Sequence, residues 1–198
     1  MSVSVNVRAM STGDLAAVVA IHLAAFPNFF LTFLGPRFLR ELYSAVMRDG
    51  IALVATDGDL IAGFAAGVVG SKSFYRQLFR RRFIPVGLAI VPAILRRPST
   101  LFRVLRRVSQ RTTGEGSATS GAELMSLAVD PQQQRHGVGR VLVEAFAERA
   151  RAAGAENLWL ITDAVDNDRV KKFYESLGFT RRRSFTNAEG RALEEYAR

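Results

Sequence analysis

A chain of 198 residues, 48% apolar and 23% charged, is long enough to bury a full core and too apolar for wholesale disorder. With no cysteine and only His22 and His136, it excludes disulfides, thiolate metal sites and a cysteine nucleophile, and it lacks a usual zinc ligand set. The net charge of +9 is concentrated: residues 72–111 hold eleven basic side chains and no acidic one, leaving 16 basic against 18 acidic residues elsewhere. So local an excess points to an anionic partner.

Val3, Val5 and Val7 alternate with polar residues, which predicts a half-buried first strand. Ser11 or Thr12 then caps a helix running to about residue 26, with Asp14 in its first turn. Pro27 and Asn28 break it. Gly35-Pro36 opens a second helix, proline suiting the first helical position, and Gly50 closes it. Strands over 51–56 and 60–69 form a hairpin about Asp57-Gly58-Asp59. The basic run follows, predicted as two or three short helices broken at Pro85, Pro92 and Pro98. Within it Leu101, Phe102, Val104, Leu105 and Val108 keep helical spacing, with Arg103, Arg106, Arg107 and Arg111 between them. Residues 112–121 are small, polar and glycine-rich, hence a loop.

A buried strand is predicted over 122–129, ended by Asp130-Pro131, and then a helix over 137–154. Residues 156–162, with the only tryptophan, Trp159, form another strand, and a helix over 167–177 stops at Gly178. Strands over 179–185 and 192–196 complete a hairpin around Asn187 and Gly190. No repeat or second domain emerges, so residues 1–198 read as one α/β domain around a mixed sheet. The N-terminus lacks a basic start and apolar run, and the longest apolar stretch, 83–95, is interrupted by two prolines and too short to span a bilayer. The expected location is cytoplasmic.

The sharpest local signal is Leu127-Ala128-Val129-Asp130-Pro131 followed by Gln134-Arg135-His136-Gly137-Val138-Gly139-Arg140. A buried strand runs into a loop whose glycines open a helix. Glycine lets backbone approach a ligand, and unpaired N–H groups at a helix start favour anionic oxygens such as those of a pyrophosphate. Neither the three-glycine dinucleotide fingerprint nor a Gly-Lys-Ser/Thr phosphate loop is present. A plain glycine-rich turn is the alternative.

The run ELMSLAVDPQQQRHGVGRVLVEAF resembles the acetyl-CoA signature of the GNAT superfamily, Gln/Arg-x-x-Gly-x-Gly/Ala, through Gln134, Gly137 and Gly139. A second block, Asn167 through Tyr174 to Gly178-Phe179, resembles the family's later motif: asparagine, tyrosine seven residues on, then Gly-Phe. The resemblance implies a GNAT-like α/β fold with a mixed, mostly antiparallel central sheet flanked by helices. Residues 72–121 are then an arginine-rich helical insertion between the third and fourth strands. It implies an acetyl-CoA-dependent N-acetyltransferase without a covalent enzyme intermediate or a metal. Leu127, Ala128 and Val129 would hold the pantetheine arm, and the backbone of Arg135, His136, Gly137, Val138, Gly139 and Arg140 the pyrophosphate, with Gln134 leading the loop. A strand N–H near Leu127 would polarise the thioester carbonyl.

Tyr174 fits a general acid, since a phenol near pKa 10 can protonate a leaving thiolate. It shares a helix face with Asn167, two turns away, which would anchor that helix beside the cofactor. Packing beside Phe173 and helix N-capping are their structural alternatives. Glu123 is the first candidate for the base, acting through water, with a salt-bridged strand end as its alternative. His22 has a better intrinsic pKa but sits in an apolar helical run, where a core role is favoured. His136 is expected to be a supporting donor.

On the acceptor side, Phe26, Phe29 and Phe30 lie in a loop that predicts an apolar wall or core covering. The acceptor is expected to be a primary amine, of an amino sugar or another small metabolite. The arginine-rich run is expected to meet phosphate on the acceptor or an anionic membrane surface, the protein then lying peripherally at the inner membrane face, or to pack within a homodimer. The rival reading is a basic module binding nucleic acid or a membrane surface on a GNAT scaffold without acetyl transfer. No DNA- or RNA-binding motif accompanies the charge.

Overall fold

The computed structural model describes residues 5–27, 29–70, 121–133, 137–187 and 190–198. The expected insertion over 72–121 therefore lies, apart from residue 121, outside the described residues, as do Asn28, Gln134, Arg135, His136 and the side chain of Phe30.

Strand β1 (Val5–Ala9) leads through a short 3-10 turn (Thr12–Asp14) into helix α1 (Leu15–Ala25). The turn is fixed by Asp14, whose carboxylate accepts from the Ser11 amide (2.7 Å) and hydroxyl (2.8 Å) and takes both arms of Arg8. That is the capping chemistry the Ser11–Asp14 spacing offers. The connection after α1 differs from expectation: Phe30–Phe33 closes a one-turn helix, α2, instead of an open loop. Thr32 secures it by donating its hydroxyl to the Phe26 carbonyl at 2.6 Å. Helix α3 (Pro36–Asp49) follows from Gly35, and strands β2 (Ile51–Asp57) and β3 (Leu60–Val69) form the hairpin. Strand β4 (Ala122–Val129) precedes helix α4 (Val138–Ala152), strand β5 (Leu158–Asp163), helix α5 (Asp168–Glu175) and the β6 (Thr180–Thr186) and β7 (Ala192–Ala197) hairpin.

The seven strands make one sheet in the order β1-β2-β3-β4-β5-β7-β6, antiparallel at every step except β4 beside β5. Helices cover both faces. Val18, Leu39, Tyr43 and Val46 from α1 and α3 pack with Phe64 and Ala128 on one side. Leu142 and Phe146 of α4, with Tyr174 and Phe179, pack with Leu124, Leu158, Leu160 and Tyr196 on the other.

Two irregularities in β4 position the site. Ala66 pairs with Ser126 but the next residue, Gly67, pairs with Leu124, so Met125 is an unmatched bulge residue. In addition, β4 pairs with β5 only at Ala122/Leu158 and Glu123/Trp159. Beyond those two pairs the strands run on without pairing among the described residues, and the sheet opens into a split.

Candidate active site

The split is lined on one edge by Leu127, Ala128 and Val129. The Asp130 amide donates to Ala62 on the β3 side at 2.8 Å. Because amides alternate sides along a strand, Val129 and Leu127 turn theirs the other way, into the split. They are placed to bind a ligand lying where a strand would otherwise pair.

The split leads toward the start of α4. Gly137 has φ +74°, a left-handed conformation natural to glycine, and a Cβ there would meet nothing within 4 Å among the described residues. Within the helix the Val141 amide donates to the Gly137 carbonyl at 3.2 Å, so the amides of Gly137, Val138, Gly139 and Arg140 have no intrahelical acceptor. A fifteen-residue helix pointing four amides outward is a suitable cradle for an anion. The two glycines play different parts. A Cβ on Gly139 would stand 3.2 Å from the Phe173 ring and 3.7 Å from Val129, so this glycine permits α5 to approach α4. The sequence expectation assigned both glycines to ligand approach; at Gly139 the described neighbour of an added Cβ is the Phe173 ring. The Arg140 guanidinium is turned to the Ser176 hydroxyl at 3.2 Å, leaving its backbone as the part that faces the helix start.

Tyr174 is buried on α5, in edge contact with Phe173 (5.2 Å) and Phe179 (5.5 Å). Burial pushes its phenol above the ordinary tyrosine range, so it holds its proton at neutral pH. Aromatic packing and a retained phenolic proton thus coexist in one side chain. Asn167 precedes α5, but its side chain does not cap the helix. It donates to Thr162 Oγ1 (2.7 Å) and the Asp163 carbonyl (3.1 Å), tying the start of α5 to the end of β5.

Glu123 lies at the closed end of the split, paired with Trp159 across it and buried. With Met125 bulged out, it and Leu127 lie opposite Val68 and Ala65, three residues of extended strand or about 10 Å apart. The structure therefore does not bring Glu123 and Leu127 together directly. His22 is wholly enclosed: its Nδ1 shares a 2.6 Å hydrogen bond with the Tyr43 hydroxyl, which is also hydrogen-bonded to Ser126 on β4. Burial lowers His22 to about 4, so it stays neutral and is a weak proton acceptor for an amine. This polar chain joins α1, α3 and β4 within an otherwise apolar core.

The Phe26 and Phe29 rings lie 5.6 Å apart, with Phe26 also 5.0 Å from His22 and packed against the α1 and α3 core. Sequence reasoning missed what Phe29 meets. The Arg191 guanidinium lies 4.7 Å over its ring while gripping the Asp163 carboxylate with two nitrogens. Residues 29, 163 and 191 are too distant in the chain for any local pattern to reveal this. Among the described residues no cluster of His, Asp or Glu could hold a metal, and no helix is long and apolar enough to cross a membrane.

Comparison with known proteins identifies relatives of this arrangement. The model of the acetyltransferase (GNAT) family matches residues 15–179. The ribosomal protein bS18-alanine N-acetyltransferase of Escherichia coli K12 is 39% identical over 74 residues, 35% of this chain and 49% of the relative. Mycothiol acetyltransferase of Kocuria rhizophila is 38% identical over 68 residues, 34% of this chain and 22% of the relative. The chain thus spans half or less of the length of these two relatives. Among solved structures, a Salmonella typhimurium protein with its cofactor acetyl-CoA superposes with TM-score 0.63 at 16% identity, covering 98% of this chain and 93% of the other.

Proposed function

Since the chain belongs to the acetyltransferase (GNAT) family, we propose that it moves an acetyl group from acetyl-CoA directly to a primary amine within a single acetyltransferase domain. The observation that carries this reading is the split between β4 and β5, with the Leu127 and Val129 amides turned into it and the start of α4 beyond. Acetyl-CoA supplies the activated carbonyl: a C–N bond forms to the acceptor as the C–S bond breaks. Leu127 and Val129 hold the pantetheine arm by backbone hydrogen bonds, while the Ala128 backbone between them is turned to β3. The amides of Gly137, Val138, Gly139 and Arg140, preceded by Gln134, Arg135 and His136, receive the pyrophosphate.

The Leu127 amide stabilises negative charge developing on the carbonyl oxygen. Tyr174, protonated and dry, hands its phenolic proton to the departing thiolate. The acceptor nitrogen gives up two protons on passing from ammonium to amide. One leaves by water through Glu123, and the other balances the proton supplied by Tyr174. His22, neutral and sealed, positions Tyr43 and Ser126 beneath the split instead of serving as base. Asn167 keeps α5 registered against β5 so that Tyr174 stays in place.

Phe26, Phe29 and Phe30 form the acceptor wall, and the acceptor is a small-molecule amine such as an amino sugar. The basic run over 72–111 supports phosphate on the acceptor or on the surface that presents it. That favours a cytoplasmic protein able to rest on an anionic membrane face. The test is calorimetric titration with acetyl-CoA followed by a thiol-release assay over a panel of amines. Binding near micromolar strength with a rise in melting temperature is expected. No detectable acetyl-CoA binding would overturn the reading.

A further inference from the structure

The Asp163, Arg191 and Phe29 contact lies where an acceptor would enter. Beyond the paired Ala122 and Leu158, β4 reaches Leu127 in four strand positions, Met125 being bulged out, and β5 reaches Asp163 in five, so the two stand within about one residue, roughly 3 Å, of the same level across the split. Leu158 and Leu160 face the α4 and α5 core, so Asp163, by strand alternation, faces the α1 and α3 side. Phe29, reaching Arg191 from the α1–α2 connection, agrees with that placement. The same sheet face carries Glu195, buried and paired with Arg183 at 2.9 Å.

A carboxylate beside an aromatic face offers both features that hold a guanidinium or ammonium: charge-assisted hydrogen bonds and a negative ring face. We propose that Asp163 and the Phe29 ring form a cation subsite at the acceptor mouth, filled in this structure by the Arg191 guanidinium and taken over by a second cationic group of the acceptor. The inference rests on the acetyl-transfer reading and adds to it the substrate class: an amine carrying a second ammonium or guanidinium a few bonds away. Arg191 and Asp163 keep 29% and 34% of their side-chain surface exposed, so a rotation of Arg191 into water is enough for exchange. One cation replaces another on the same carboxylate. Occupancy by the acceptor is scaled by the fraction of time Arg191 is away, which makes Arg191 an internal competitor. Any phosphate drawn by residues 72–111 concerns the far part of the acceptor or its carrier, whereas this subsite reads the part next to the reacting amine.

Steady-state thiol release with butane-1,4-diamine, 4-guanidinobutylamine, butylamine and 2-aminoethyl phosphate tests it, with acetyl-CoA affinity measured in parallel. The two dications should exceed butylamine in kcat/KM by about tenfold or more. Asp163→Asn should bring that ratio close to one, whereas Arg191→Gln should raise it through KM, and Arg191→Lys should fall between Arg191→Gln and wild type. A second readout needs no turnover: methylguanidinium should raise the melting temperature of Arg191→Gln more than that of Arg191→Gln/Asp163→Asn. Equal use of butylamine and the dications, preference for 2-aminoethyl phosphate, or identical melting shifts would overturn the subsite. Loss of acetyl-CoA binding in the wild-type protein would overturn the acetyl-transfer reading instead.

Discussion

Substituting the two glycines at the start of α4 separates ligand approach from helix packing. Gly137→Ala places a methyl group where no described residue stands within 4 Å, so its folding cost there is conformational. Holding an L-residue at φ +74° costs about 1–2 kcal/mol. In a chain of this size that lowers the melting temperature by about 2–8 °C. If the cradle binds pyrophosphate, the methyl group stands in the ligand's path and acetyl-CoA affinity should fall by well over tenfold. Gly139→Leu meets the Phe173 ring, 3.2 Å from the first added carbon, and must displace α5. Overpacking of this kind costs about 1–3 kcal/mol, and a gain of about 1 kcal/mol in helix propensity offsets part of it. Its signature should be lowered turnover as Tyr174 shifts with α5, more than a lost first contact with the cofactor. Calorimetric acetyl-CoA affinity, thermal melting and turnover, measured on both variants, give the comparison. Gly137→Ala with wild-type affinity would refute the cradle, and Gly139→Leu with wild-type turnover would refute the packing role.

Tyr174→Phe keeps the aromatic packing and removes the proton, so acetyl-CoA affinity should hold while turnover falls about a hundredfold or more. Near-normal turnover would leave Tyr174 as a core residue. Glu123→Gln should shift the acidic limb of the pH–rate profile, and an unshifted profile would assign proton loss to water alone. Asp14 is held well below the carboxylate range, chiefly by its hydrogen bonds from Arg8. Its contribution is therefore present above the unfolded value near 4 and is lost as pH falls toward the folded one. The stability gap between wild type and Asp14→Asn in denaturant melts should shrink below about pH 4; a gap independent of pH would discount the ion pair. Reversing Arg80, Arg81, Arg82, Arg106 and Arg107 to glutamate should leave acetyl-CoA affinity intact while reducing acceptor turnover or binding to anionic vesicles. If both persist, the basic run is a solvated decoration.

Much of this was legible in the sequence because periodicity and punctuation act locally. Pro36, Gly50 and the Asp57-Gly58-Asp59 turn fixed element ends within a residue or so. Ser11 or Thr12 as cap, with Asp14 in the first turn, marked the start of α1. What escaped were features set by tertiary contact. The Phe30–Phe33 turn depends on a hydroxyl of Thr32 reaching back to Phe26. Asn167 had two local readings, anchor and helix cap, and its side chain reaches Thr162 and makes no cap. Gly139 fitted a ligand-binding pattern, yet the atom it spares is Phe173, 34 residues on, brought near only when α5 packs.

The extra residue at Met125 works as a parity switch. Ala122 sends its amide to Asn157 on the β5 side, whereas Asp130 sends its own to Ala62 on the β3 side. Eight residues apart, two amides of a regular strand would point the same way. Their opposition means that the odd-numbered amides face β5 after the bulge, where the even-numbered ones did before it. A residue inserted in β3 between Ala66 and Gly67, opposite Met125, would leave an intact, even better paired ribbon. It would also turn the Leu127 and Val129 amides onto β3 carbonyls, closing the row of hydrogen bonds that β4 offers to the split. A single in-frame codon gain could thus yield a well-folded protein whose β4 amides no longer reach a substrate.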